Sequence, residues 1–344
     1  MPENFLELTA ADRAEALEAA SAQSGRPSYL LEKDVWVVWA LGVITARFGE
    51  RLVFKGGTSL SKAYGAIDRF SEDIDLTYDI RHLLQGEDGL EPGIGDGLPP
   101  SGARARKWTE KVRQKLPEWI EGEVKPLFED AISGAGLEMT LRQATTETLH
   151  IDYRPTANGG TNYVKPAVML EFGARSTGEP AEQITITCDA APHLLEVSFP
   201  TASPRVMALE RTFWEKATAA HVYCVQADLR GERFARHWHD LAALARHSRY
   251  RNAVDDRGLA EAVARHKAVF FKAKDPSSGD PIDYCHAVRG NIRIVPQGDA
   301  AKVLEEDYVA MRDAGLLHGT AVSFADLMAS CQAIEQAINA PVQP

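Results

Sequence analysis

Positive charge is scarce in this 344-residue chain, where 38 lysines and arginines face 49 aspartates and glutamates for a formal net charge of −11. That deficit excludes blanket attraction to nucleic acid, so an RNA partner would need a local basic patch. Cysteine is scarce as well. Cys188, Cys224, Cys285 and Cys331 lie scattered without metal or disulfide spacing, as reduced thiols of a cytoplasmic protein do. The N-terminal stretch MPENFLELTAADR carries acids where a signal peptide needs positive charge, and no export is expected. The longest apolar run, Val35 to Ala46, starts directly after Glu32-Lys33-Asp34 and is too short to cross a bilayer, which predicts a buried helix and no membrane partner. A Walker A loop is also missing, which disfavours a P-loop NTPase, and no internal repeat occurs.

What is present is an ordinary globular composition, 44% hydrophobic and 25% charged, at a length that suits two domains. Thr9 can cap a helix ending near Gly25 and Pro27, and residues 29–48 form a second, very apolar helix. Arg51 to Phe54 reads as a strand, Thr58 to Tyr64 as a short helix and Asp73 to Tyr78 as another strand. Gly86 to Gly102 holds six glycines and three prolines in seventeen residues, which predicts a flexible loop or insertion. A charged helix over 104–133 should bend or break at Pro117 or Pro126. Strand-type runs follow at 137–142, 146–153, 167–172, 184–188 and 194–198, and beyond Pro204 the pattern turns helical. The expectation is an α/β (α+β) domain over 1–200, with the insertion near 84–103, and a helical domain over 201–344.

The stretch FKGGTSLSKAYGAIDRFSEDIDL, residues 54–76, carries the chemistry. On a strand Asp73 and Asp75 share a face, about 7 Å apart, and repel unless a cation lies between them. Hard oxygen ligands of this kind suit Mg²⁺, which takes one or two carboxylates together with substrate phosphates. Upstream, Gly56 and Gly57 let backbone amides approach a ligand, and Thr58 or Ser59 can cap the helix that starts there, a natural phosphate site. The bland alternatives are a tight strand-to-helix turn and solvated strand acids. Ser71, two residues before Asp73, would share that acid's face if the strand began early.

FKGGTSLSK, RFSEDIDL, EFGAR, FWEKATAAH and RHWHDL occur in that order between residues 54 and 241, with LEKD at 31–34 ahead of them. Together they resemble the AbiEii/MenT family of nucleotidyltransferase-like toxins, whose fold is similar to that of DNA polymerase β. The resemblance implies a mixed-sheet nucleotidyltransferase core and a toxin of type IV-like toxin–antitoxin and phage-defence systems. It implies that Gly56, Gly57 and Thr58 or Ser59 hold the phosphates of an NTP, and that Asp73 and Asp75 bind Mg²⁺, two ions in all. It makes Lys216 a triphosphate contact and Asp240 a catalytic acid orienting Lys216 or Arg236, with the helical domain contributing to the active-site cleft. The implied reaction moves a nucleoside monophosphate onto an RNA 3′ hydroxyl, at a tRNA acceptor end, so that aminoacylation and translation stop. A cognate antitoxin protein would restrain it. The rival readings are a nucleotidyltransferase acting on an antibiotic, another small molecule or a protein, and a nucleotide-binding module without turnover.

A third metal carboxylate is expected at Glu171, in the continuously apolar AVMLEFG that reads as a doubly buried strand, with Asp152 in LHIDY as its rival. The alternative for Glu171 is a structural pair with a cation such as Arg175. On helical pattern alone Lys216 would be a snorkelling surface lysine. Lys55 and Arg69 could neutralise phosphate or be exposed strand-end charges. His237 and His239, two apart on a helix, face different ways, and zinc is not expected. For RNA, Arg104, Lys107, Lys111 and Lys115 recur at helical spacing, and Arg246, Arg249 and Arg251 form a second cluster with Tyr250 for stacking. Both clusters also fit a solvated charged face.

Overall fold

A computed structural model describes residues 2–157, 164–227, 229, 233–313, 317 and 322–341. The chain divides into two compact units, the first made of residues 1–63, 71–97 and 107–207 and the second of 64–70, 98–106 and 208–344.

In the first unit, helices α1 (Ala10–Ser24) and α2 (Ser28–Phe48) precede strand β1 (Leu52–Lys55), a short helix α3 (Gly56–Lys62) and strand β2 (Asp73–Asp79). Thr9 caps α1 by accepting the Asp12 amide, and Gly25 ends it in the left-handed region. After α4 (Gly102–Trp119), of which residues 107–119 belong to this unit, and α5 (Lys125–Gly134) come strands β3 (Met139–Thr145), β4 (Thr148–Tyr153), β5 (Ala167–Ser176), β6 (Ala181–Gln183) and β7 (Arg205–Met207). They form one mixed sheet in the order β3-β4-β5-β2-β1-β7-β6, with β2 parallel to β5, β7 parallel to β1, and the other neighbours antiparallel.

One face of this sheet is the core. Phe54, Ile74, Leu76, Leu170, Phe172, Leu149 and Ile151 are all at most 1% exposed. Trp119 plugs that face, edge-on to Phe48 at 5.1 Å, Tyr78 at 4.7 Å and Phe172 at 5.6 Å between ring centroids. Helix α2 is buried from Leu31 to Leu41 on every side, as its unbroken apolar run predicts. Strand β5 is buried on one face only: Val168, Leu170 and Phe172 are covered, while Met169 and Glu171 lie on the other face and Glu171 is exposed. The doubly buried strand expected there is therefore corrected. Its apolar run came from Met169 and Gly173 occupying the open side.

Other departures have local causes. The helical stretch over 104–133 breaks neither at Pro117 nor at Pro126 but between them, in a π-helical segment Ile120–Val124. Pro117 removes one amide from the ladder ahead of that segment, and Pro126 sits in the first turn of α5, where no amide is needed. The glycine-rich stretch is tied down at several points: Arg81 Nη1 donates to Gly95 O at 3.0 Å, and the Trp108 indole donates to Asp88 at 2.8 Å. The helical pattern expected from Pro204 begins at Leu209, because Arg205–Met207 pairs with both β1 and β6.

The second unit is built of α6 (Leu209–Gln226), α7 (Ala235–Leu244), α8 (Arg257–Phe270), α9 (Asp299–Asp313) and α10 (Phe324–Asn339). Two fully buried indoles satisfy themselves on backbone, Trp214 on Ala253 O at 2.8 Å and Trp238 on Ile294 O at 2.6 Å. Among the described residues no helix is long and apolar enough to cross a membrane.

Candidate active site

Strand β1 delivers the chain directly into α3. Gly56 there has φ +81, and a Cβ added to it would lie 2.0 Å from Asp75 Oδ2 and 2.8 Å from Asp75 Cγ. Glycine is thus required twice at position 56, by its backbone angle and by the carboxylate that fills the side-chain space. The hydroxyls that follow are already committed. Ser59 Oγ donates to Gly56 O at 2.9 Å, and Thr58 Oγ1 lies 2.8 Å from Ser71 Oγ. Both residues are at most 1% exposed. Neither caps α3, whose N-cap is Lys55 without a side-chain bond. The expectation that Thr58 or Ser59 caps the helix is therefore corrected, and what this turn can offer an anion is backbone N–H. Ser71 precedes β2 and serves the turn through Thr58, so it does not share a strand face with Asp73.

Strand register then assembles a row of charge. Lys55 pairs with Asp75, Asp75 with Glu171, and Glu171 with Thr148 across β1, β2, β5 and β4. Register partners point the same way, and Asp73 stands two residues along the same face, level with Met169. Burial against the sheet, and then the charge of Asp75, push the Glu171 carboxyl above its ordinary range, with Lys55 acting in the opposite sense. Lys55, one of the two cations expected either to neutralise phosphate or to be a strand-end charge, is thus the positive neighbour of the two acids. Asp152 is removed as a rival ligand, since Arg142 grips it with two bonds of 2.8 and 2.9 Å.

Among the described residues no group of three or more His, Cys, Asp or Glu is gathered tightly enough to hold a metal ion by itself. The site fits a divalent cation in a narrower sense: Asp75 and Glu171 are adjacent like charges whose mutual pressure on Glu171 a cation would relieve. The remaining ligands would be water and phosphate oxygens, the habit of Mg²⁺.

Lys216 and Asp240 come together in the helical unit. Asp240 is fully buried; Arg69 Nε and Nη2 donate to its two oxygens at 2.7 and 2.8 Å, and Lys216 Nζ lies 2.8 Å away. Burial alone would raise this carboxyl, but Arg69 and Lys216 outweigh it and hold Asp240 well below the usual range. Lys216 is neither a snorkelling nor a surface lysine, and Arg69, 3% exposed, is no strand-end charge. No sequence signal pairs Arg69 with an acid 171 positions away. The second arginine cluster is largely neutralised: Arg249 grips Glu210 with bonds of 2.7 and 2.6 Å, Arg246 meets Asp68 at 3.7 Å and Arg251 meets Asp255 at 3.2 Å. Tyr250 packs edge-on against Phe213. On α4, Arg104 and Lys107 are exposed, whereas Lys111 reaches Glu87.

A profile of the family described as "Nucleotidyl transferase AbiEii toxin, Type IV TA system" matches residues 39–337, most of the chain. The chain belongs to the AbiEii nucleotidyltransferase toxin family. Among solved structures, this AbiEii protein is similar to MenT4, a nucleotidyltransferase toxin from Mycobacterium tuberculosis, at 18% identity and a TM-score of 0.51, over 96% of this chain and 89% of that one. That likeness bears out the mixed α/β nucleotidyltransferase fold. JHP933 from Helicobacter pylori matches at 14% identity and a TM-score of 0.41, over 91% of the AbiEii chain and 94% of its own. No curated protein matches in sequence.

Proposed function

We propose that this AbiEii-family chain transfers a nucleoside monophosphate from an NTP to an RNA 3′ hydroxyl, most simply at a tRNA acceptor end, and so halts translation until an antitoxin binds. The observation that carries the reading is Asp75, pressed against Gly56 on one side and aligned with Glu171 on the other. That single carboxylate couples a turn of backbone amides, suited to phosphate, to a pair of acids suited to a cation.

In this reaction the RNA 3′ oxygen bonds to the α-phosphorus, the bond from that phosphorus to the β-bridging oxygen breaks, and pyrophosphate departs. Amides at Gly56 and Gly57 hold the phosphates by hydrogen bonds that carry no side-chain cost. Asp73, Asp75 and Glu171 would hold Mg²⁺, which when bound supplies neutralisation of the triphosphate and of the departing charge. The proton released by the hydroxyl leaves to water, since Asp75 and Glu171 are both committed to the cation. Lys55 balances the row from the far side of Asp75. Lys216 and Asp240 are assigned to catalysis through the family motif, with Asp240, itself gripped by Arg69, fixing the Lys216 ammonium.

The test is incubation of the purified chain with tRNA, Mg²⁺ and each labelled NTP separately. Label is expected at the RNA 3′ end for one nucleotide above the others, and Asp75→Ala and Lys216→Ala should each lower it at least a hundredfold with folding retained. Label on small molecules or protein in a whole-cell extract, with RNA blank, would favour the rival transferase. Full toxicity of Asp75→Ala would favour nucleotide binding without turnover.

A further inference from the structure

Glu32, Lys33 and Asp34 are consecutive residues of α2, charged yet only 1%, 3% and 8% exposed. Charge is seldom buried three in a row unless each group has a dedicated partner, and here each reaches a different segment of the first unit. Glu32 accepts from the amide and hydroxyl of Thr156 at 2.8 and 2.7 Å and from the Ala157 amide at 3.2 Å. Lys33 Nζ lies 2.5 Å from Glu72 Oε2 and donates to Lys165 O at 2.9 Å, just before β5. Asp34 takes Lys62 Nζ at 2.6 Å and the Asp189 amide at 2.6 Å, while Lys62 also meets Asp189 at 2.7 Å.

Two of these partners flank the candidate site. Lys62 is the last residue of α3, the helix that opens at Gly56, and Glu72 immediately precedes Asp73. Burial would lower the Lys62 ammonium, but Asp34 and Asp189 more than offset it and hold the ammonium above its ordinary range, while burial raises the Asp34 carboxyl against the pull of Lys62. We propose that Lys33 and Asp34 are positioning residues for nucleotide transfer: Asp34, through Lys62, sets the phosphate turn, and Lys33, through Glu72, sets the strand that carries Asp73 and Asp75. The side chains of one rigid buried helix thereby fix two halves of the site that lie at opposite ends of a segment from 56 to 75. Neither residue touches substrate. The inference rests on the transferase reading given above.

The two links are separable in kinetics. Asp34→Asn is expected to raise KM for the NTP about fivefold while the Mg²⁺ requirement holds. Glu72→Gln should raise the Mg²⁺ concentration for half-maximal rate about fivefold while KM for the NTP holds. Lys33→Met combined with Glu72→Gln should be no worse than Lys33→Met alone, because Glu72 has then already lost its lysine partner. A purely structural role would lower the melting temperature and leave both constants where they were, and that result overturns the proposal. Should Asp34→Asn fail to fold, Asp189→Asn loosens the same lysine from a more exposed position. Amide hydrogen exchange, read without substrate, separates this proposal from the transferase reading. Faster exchange at residues 57–60 in Asp34→Asn and at 73–75 in Glu72→Gln supports positioning even if no NTP and RNA combination yields product. Exchange identical to wild type overturns it even where transfer by the wild type is brisk.

Discussion

Asp240 shows how one buried carboxylate can hold two cations. It is 0% exposed and answers two cations, Arg69 and Lys216, so removing its charge leaves both uncompensated. Asp240→Asn is expected to cost about 3 kcal/mol of stability, the scale for breaking a buried ion pair from one side, measured by urea unfolding. Its pH dependence follows from a folded pKa that lies below the unfolded one. The stabilisation is complete above the unfolded carboxylate value of about 4 and is lost as pH falls through the folded value. Wild type should therefore lose stability in acid well below pH 4, while Asp240→Asn shows a flatter profile over that range. Identical acid profiles would mean that the triad contributes nothing to folding.

At the scale of elements, strands and helices whose pattern repeats locally were legible, and partners far apart in sequence were not. Alternation in DIDL put Asp73 and Asp75 on one face, and the unbroken apolar run of α2 announced a helix buried all round. Strand β5 misled because Met169 and Gly173 are apolar on the face that lacks a covering layer. The ion pairs of the basic cluster at 246–251 were not legible, because two of its acids, Glu210 and Asp68, come from other segments that only folding brings in. On helix α4, Ala105, Trp108, Val112 and Leu116 form the buried stripe, and Arg104 and Lys107 are exposed. Charge reversal at Lys107, Lys111 and Lys115 is expected to weaken RNA binding and to reduce the slope of log affinity against log salt by about 2. Lys111 contributes least, since Glu87 already occupies it. Affinity and salt slope equal to wild type would remove α4 from the interface.

Across the whole molecule, covalent cross-links play no part in holding either unit together among the described residues. All four cysteines are free, Cys188 and Cys331 are buried, and burial pushes Cys331 and Cys224 up to about 12 and Cys188 well above its ordinary value. Thiolate is the reactive form, so iodoacetamide at pH 8 should leave Cys188, Cys224 and Cys331 unmodified in the native protein and label all four in denaturant. Melting temperature should be the same with and without reductant. Rapid native labelling of Cys188 by mass spectrometry would show that the first unit opens locally near Asp189.

The crowding of Asp75 against Gly56 has a genetic consequence. The gentlest change available to that codon, glycine to alanine, adds a methyl group where an acid oxygen already sits and must swing the carboxylate out of line. No charge is altered and no cavity is opened. Under the transfer reading proposed above, Gly56→Ala is expected to abolish toxicity in an expressing host while the purified chain keeps its far-ultraviolet circular dichroism, and a fully toxic Gly56→Ala would count against Asp75 as the centre of the site.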